Sequence, residues 1–339
     1  MVKIGVVGAG GLVGGRVIRI FEEMDLPDCE FYLTGYQKSV GRVVTFHGRS
    51  LTIEKTDSDV LRKLDIVILC TPTEVSRELV RHLIGGPVVI DTSSAFRMEE
   101  KVPLVVPEVN GASLWDHEGL IAGPNCSTIQ LVMSLCPIER EFGLFRVHVS
   151  TYQSVSGAGY RAMQELRQTS LNKLVSDDVE FSRDSSEFPH PIAFNLIPQI
   201  DSFVDNGYSK EEMKMVNETR KILGIPDLSM SCTCVRVPVF IGHSEACLAE
   251  TKSEPNVERV REVLTAFPGV TVLDDPANQV YPMPLDCEDT DDVYVGRIRR
   301  DLSSKNGILY WLVADNLRRG AATNACNIAK MLIEDSKLR

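Results

Sequence analysis

Residues 1–15 read Met1-Val2-Lys3-Ile4-Gly5-Val6-Val7-Gly8-Ala9-Gly10-Gly11-Leu12-Val13-Gly14-Gly15. Val2 to Gly8 has the short apolar pattern of a buried strand, and Val13 to Met24 continues at helical spacing. The glycines between them form a turn that lets backbone approach a pyrophosphate, whose charge the free N–H groups of the next helix can receive. A plain glycine-rich turn would carry the same letters, but its place between a first strand and a first helix favours a dinucleotide. Outward from this turn, Glu30 to Leu33 and Leu51 to Glu54 read as strands, and Ser76 to Leu83 as a helix. Asp65 to Cys70 (DIVILC) and Gly86 to Ile90 (GPVVI) are continuous apolar runs, as expected of central parallel strands. Strands alternating with helices predict an α/β, doubly wound, Rossmann-type domain.

The chain has 339 residues, which is long for one core and suits two domains. The texture changes after about Asn125. A helix starts at Ile129, Phe145 to Tyr152 reads as a strand, and Tyr160 to Leu174 as a helix. Residues 176–210 are polar and proline-rich and read as a long excursion. Glu211 to Leu223 is helical, Met230 to Phe240 and Glu245 to Lys252 are strands, and Pro255 to Phe267 is helical. Thr271 to Leu273 and Ile308 to Ala314 read as strands, and Ala321 to Glu334 as the last helix. Formal charge is −11, which argues against a nucleic-acid surface. No apolar run reaches the ~20 residues of a membrane span. Nine cysteines without a CxxC pair suggest a reducing, cytoplasmic setting and no metal site.

Two segments carry chemistry. Gly123-Pro124-Asn125-Cys126-Ser127-Thr128 puts Cys126 at a helix start, where free N–H groups and the macrodipole favour a thiolate and an oxyanion beside it. Gly242-His243-Ser244-Glu245 places a histidine just after a strand, a candidate base for that cysteine. Taken alone, Cys126 reads equally as a small core residue and His243 as a structural one. The second strand of the first domain ends in Thr34-Gly35-Tyr36-Gln37-Lys38-Ser39, without the acid that usually holds an NAD ribose. Lys38, Ser39 and Arg42 either meet a 2′-phosphate, which predicts NADP, or are solvated loop residues.

Together the motifs resemble the bacterial aspartate-β-semialdehyde dehydrogenases along nearly the whole chain. The resemblance rests on the glycine turn, DTSSAFRM with Arg97, VPLVVPEVN with Asn110, GPNCSTIQ with Cys126 and VSTYQSVSGAG with Gln153. FPHPIAFNLIPQID, EEMKM, CVRVPVFIGHSE and DNLRRGAATNA continue it. It implies a larger α+β catalytic and dimerisation domain of the glyceraldehyde-phosphate-dehydrogenase-like type spanning 128–316. Residues 1–127 would then form the NADP-binding domain, completed by a helix in 317–339. Cys126 would be the nucleophile, His243 the general acid/base, and Gln153 would orient the substrate or its thioester. Arg236 would clamp the α-carboxylate and Glu211 the α-ammonium group. Arg97 and Lys214 would hold phosphate, with Asn125 and Asn110 nearby. Gly8, Gly10, Gly11, Leu12, Val13, Lys38, Ser39, Thr71, Ser156, Gly157 and Asn316 would line the cofactor site. The implied reaction converts β-aspartyl phosphate to aspartate β-semialdehyde on the route to lysine, threonine and methionine, in a homodimer or dimer of dimers. Tyr36-Gln37-Lys38-Ser39 departs from the family's Ser-x-Arg-Ser, and Thr73 and Glu74 replace smaller residues. An N-acetyl-γ-glutamyl-phosphate reductase, a glyceraldehyde-phosphate dehydrogenase and a catalytically silent dinucleotide-binding protein are the competing readings.

Overall fold

A computed structural model describes residues 1–26, 29–175 and 186–335. The chain divides into two compact units, Met1–Asn125 with Gly320–Arg339, and Cys126–Arg319. The first of the sequence-based boundaries, 127, lies two residues beyond this division, and the second, 317, three residues short of it.

In the first unit, β1 (Val2–Val7) is followed by α1 (Leu12–Glu23), β2 (Cys29–Gly35) and a hairpin of β3 (Val43–Phe46) and β4 (Arg49–Thr52). Then come β5 (Glu54–Lys55), α2 (Ser58–Leu61), β6 (Ile66–Leu69), α3 (Thr73–Leu83), β7 (Val88–Asp91), α4 (Pro107–Asn110) and β8 (Leu120–Ala122). Six of these strands form a parallel sheet in the order β5-β2-β1-β6-β7-β8. The order reverses at β1, which is where a doubly wound sheet opens a crevice beyond its carboxyl ends. Ile66–Leu69 is buried at all four positions, so the run carries apolar residues on both faces. The helix Asn324–Glu334 returns to this unit and sets Ala325, Ile328, Ala329 and Leu332 into the same core as Ile4, Val6 and Val17.

The strand expected over Leu51 to Glu54 is divided between the hairpin strand β4 and the short β5. Tertiary pairing decides that boundary, because Val43 to Thr52 is closed by its own antiparallel register.

The second unit runs α5 (Cys126–Phe142), β9 (Leu144–Gln153), α6 (Tyr160–Val175) and α7 (Lys210–Leu223). It continues through β10 (Ser229–Arg236), β11 (His243–Thr251), α8 (Val257–Thr265), β12 (Val270–Val272), α9 (Pro284–Cys287), β13 (Val293–Arg300) and β14 (Gly307–Ala314). Its mixed sheet has the order β10-β9-β11-β14-β13-β12. Helices α5, α7 and α8 pack on one face of it. β13 was not expected from sequence; its solvent-side charges, Arg297, Arg299 and Arg300, mask the apolar alternation. The strand expected to reach Phe240 stops at Arg236, before Pro238. His243 is the first residue of β11 and not a residue beyond a strand. Part of the 176–210 excursion lies outside the described residues.

Gly14 closes the first turn. A Cβ there would sit 2.2 Å from the Gly8 carbonyl oxygen and 2.9 Å from the Ala9 Cα, both backbone atoms that cannot swing away. Gly14→Ala is therefore expected to destabilise the protein by roughly 1–3 kcal/mol and to weaken dinucleotide binding, as read by denaturant unfolding and by cofactor titration.

Candidate active site

In the second unit, strand register places the chemistry. β9 and β10 run parallel with Gln153 opposite Arg236, both at their carboxyl ends. β11 runs antiparallel to β9, so its first residues, His243 and Ser244, arrive at that same end. Cys126 is the first residue of α5, which packs across β9 and β11.

Each side chain is oriented by a neighbour. Gln153 is buried; its Nε2 donates to Glu211 Oε1 at 3.0 Å and its Oε1 accepts from Thr151 Oγ1 at 3.1 Å. Glu211 gives its other oxygen to Lys214 Nζ at 3.2 Å, and Lys214 also reaches Asp201 Oδ2 at 3.1 Å. The start of α7 is fixed by a capping box in which Ser209 and Glu212 exchange hydrogen bonds. Glu212 also accepts from the Cys234 N–H at 3.0 Å, which joins α7 to β10. Arg236 donates from Nη1 to the Ser154 carbonyl at 2.7 Å, and its backbone exchanges two hydrogen bonds with Ile197. Burial lowers the Arg236 pKa, while charge on Glu211 and then on Cys126 opposes this, so a thiolate at Cys126 would be felt at the guanidinium.

His243 is fully buried. Its Nδ1 accepts from the Ser154 backbone N–H at 3.0 Å and lies 3.1 Å from Ser154 Oγ. A backbone N–H can only donate, so the proton of the neutral ring belongs on Nε2, which finds no hydrogen-bond partner among the described residues. Burial first, and the Arg236 charge second, lower its pKa to about 3. Gly157 keeps room beside it. A Cβ at Gly157 would lie 3.3 Å from His243 Nε2 and 3.0 Å from Arg236 Nη1.

Asn316, expected at the nicotinamide, is turned inward. Its Oδ1 accepts from the Gly242 N–H at 3.0 Å and from Ser154 Oγ and Ser156 Oγ at 3.0 and 3.1 Å. One amide thus ties the loop after β9 to the residue before His243, and Ser156 is taken up in the same knot. Beneath the site, Glu245 is fully buried on the His243 face of β11, and burial raises its pKa well above the usual value.

In the first unit, Gly8 and Ala9 donate to the Thr34 carbonyl, and α1 begins at Leu12 and Val13 with neither a side-chain cap nor an acid in its first turn. Its leading N–H groups are thereby left for an anion. Gly11 caps this helix start, and Gly10 faces Ser39, whose Cβ would be 2.3 Å from any Cβ placed on the glycine. Arg42 reaches the Gly10 carbonyl at 3.5 Å, and Lys38 is exposed. Thr71, two residues past β6, is hydrogen-bonded to Ser76. These positions share the carboxyl end of the sheet and fit a phosphorylated dinucleotide. Arg97 is buried and donates to the carbonyls of Thr92 and Gly123 at 3.0 and 2.9 Å. Asn125 is buried, and Asn110 is tied to the backbone of Leu104 and Val106. Asp201, Ser154, Thr151, Glu212 and Glu245 were not singled out from sequence. Ser154 stood beside Gln153 in the QSVSGAG run, but Asp201 lies in a segment without periodicity.

The family model for a semialdehyde dehydrogenase NAD binding domain matches residues 3–117, and that for the semialdehyde dehydrogenase dimerisation domain matches 135–319. The chain is 46% identical to the aspartate-semialdehyde dehydrogenase of Bacillus subtilis over 97% of its length and 96% of the relative's. It is 45% identical to that of Aquifex aeolicus over 98% of both chains. The crystal structure of aspartate semialdehyde dehydrogenase II from Vibrio cholerae complexed with ASA superposes with a TM-score of 0.93 at 39% identity, covering 99% of each chain. The chain belongs to the semialdehyde dehydrogenase family.

Glu245 gives this site a pH signature. In the unfolded chain its carboxyl ionises at ~4.3, and burial raises its pKa well above this in the folded protein. Stability is therefore lost as pH rises above that value, by at most ~1.4 kcal/mol per pH unit. Glu245→Gln should gain stability over the wild type progressively from pH 5 to pH 8 in denaturant titrations; a pH-independent difference would show an ionised carboxylate in the fold.

Proposed function

We propose that this protein carries out the NADP-dependent reductive dephosphorylation of β-aspartyl phosphate to aspartate β-semialdehyde, a step of amino-acid biosynthesis toward lysine, threonine and methionine. The observation that carries the reading is the buried Arg236 and Glu211 set around Gln153. It offers a guanidinium for an α-carboxylate and a carboxylate for an α-ammonium group, beside the helix start that bears Cys126. A glutamyl substrate acylated on its nitrogen would have no cation for Glu211.

The Cys126 thiolate attacks the acyl carbon, and the N–H groups at the start of α5 stabilise the oxyanion. The tetrahedral adduct expels phosphate and leaves a thioester on Cys126. Lys214 is the phosphate group's partner in this unit, and Arg97 is assigned to the same phosphate by resemblance. The glycine turn, with Lys38, Ser39 and Arg42 for the 2′-phosphate, would hold NADPH, which would supply the hydride that reduces the thioester. Gln153, fixed by Thr151 and Glu211, holds the acyl oxygen in place. The resulting thiohemiacetal oxyanion collapses by breaking its C–S bond, which frees the aldehyde and returns the thiolate. His243 serves this oxygen from Nε2, the only ring nitrogen that Ser154 leaves with a proton. Asn316, Ser156 and Gly157 hold that ring's surroundings and are assigned to the cofactor by resemblance.

The family's dimerisation domain supports a homodimer. The sheet face away from α5 supports the same reading: it leaves Leu248, Leu309 and Trp311 half-buried, with Tyr152 against Trp311. A dimer of dimers would use further surface. We place the protein in the cytoplasm on its unbridged cysteines.

Cys126→Ser should lower kcat by on the order of 10⁴-fold or more while NADPH binding, read by fluorescence, persists; near-normal turnover would refute the nucleophile. The kcat/KM profile reports free-enzyme ionisations, so an imidazole titrating at about 3 should give no inflection of its own between pH 5 and 8, and His243→Asn should lower kcat without moving the profile. Lys38→Ala should reduce the NADPH-over-NADH preference by up to about fivefold, the reach of one exposed ion pair; an unchanged ratio would remove Lys38 from the 2′-phosphate site.

A further inference from the structure

Lys214 bridges two carboxylates: its ammonium lies 3.2 Å from Glu211 Oε2 and 3.1 Å from Asp201 Oδ2, while Arg236 also faces the charge of Glu211 and Lys210 that of Asp201. The two acids are built differently. Glu211 is buried and its second oxygen is engaged by Gln153, which fixes it. Asp201 has a side chain 39% exposed and sits in an irregular segment. Its backbone is held at φ +68°, a conformation that costs a non-glycine residue energy and persists only where surroundings impose it. Gln199 Nε2 on the Asp201 carbonyl and the Ser202 N–H on its Oδ1 do so. Burial works against its charge, but Ser202 and Lys214 prevail and keep the carboxyl below its usual range.

We infer that Asp201 competes with phosphate for the Lys214 ammonium and so sets how weakly the enzyme holds phosphate. Bound phosphate draws Lys214 from the exposed carboxylate while Glu211 keeps its grip. When phosphate departs from the acyl group, Asp201 retakes the ammonium and opposes rebinding. This rests on the reading of Lys214 as the phosphate's partner.

The test measures the phosphate KM in the dehydrogenation direction for wild type, Asp201→Asn and Lys214→Ala, together with inhibition of the reductive direction by inorganic phosphate. Asp201→Asn should lower the phosphate KM by about two- to fivefold and strengthen phosphate inhibition equally, with the semialdehyde and NADP KM values unmoved. An unchanged or raised phosphate KM in Asp201→Asn, where Lys214→Ala does raise it, overturns the competition and leaves the phosphate assignment standing. An unchanged phosphate KM in Lys214→Ala overturns the assignment itself. Asp201→Ser, read identically, decides the matter where the asparagine variant does not fold.

Discussion

The hydrogen-bond register between β9, β10 and β11 is the constraint on which the site depends. Two strands that run the same way and a third that runs back between β9 and β14 bring two carboxyl ends and one amino end to a single edge. Gln153, Arg236 and His243 are far apart in sequence, yet this pairing fixes all three. A slip of one residue in β11 would turn His243 to the opposite face and bring Ser244 to the helix side. Core packing enforces the register, because Cys247 and Ala249 are fully buried on the His243 face.

Around that edge the protein holds charge where water is scarce. Arg236 is almost wholly buried, and its compensation is supplied by Glu211 at the start of α7. A buried cation without such company would carry a penalty of several kcal/mol. The arrangement also keeps His243 neutral, since Arg236 adds repulsion to the effect of burial. A substrate carboxylate at Arg236 would relieve part of that repulsion, so binding and the basicity of the imidazole are linked through one guanidinium.

Much of this was legible in the chain. DIVILC and the glycine run announce a parallel sheet and a phosphate turn because apolar continuity and absent Cβ atoms are local properties. GPNCSTIQ placed Cys126 at a helix start for the same reason. His243 was found, but on the wrong side of a strand boundary, because Gly242 resembles a terminator until the pairing with Ala314 is known. Asp201 was invisible. No periodicity marks it, and its importance comes only from where a proline-rich segment meets α7. Glu245 reads as a polar residue of an alternating strand, and nothing local says that its face is the one covered by α5. Asn316 was located in sequence but its orientation was not, since inward and outward amides have the same letters.

Among the described residues β10 is the outer strand of its sheet, with one side unpaired by any other strand. Such a margin is an invitation to foreign chains, and proteins that leave it bare aggregate through it. Here the two backbone N–H groups nearest the active edge already have partners: Cys234 donates to the Glu212 carboxylate and Arg236 to the Ile197 carbonyl. The same hydrogen bonds that tie α7 and the 195–204 segment to β10 therefore also seal the sheet against recruitment of a stray strand beside Arg236. Solubility and turnover are guarded there by the same few hydrogen bonds, so loosening the 195–204 segment would endanger both.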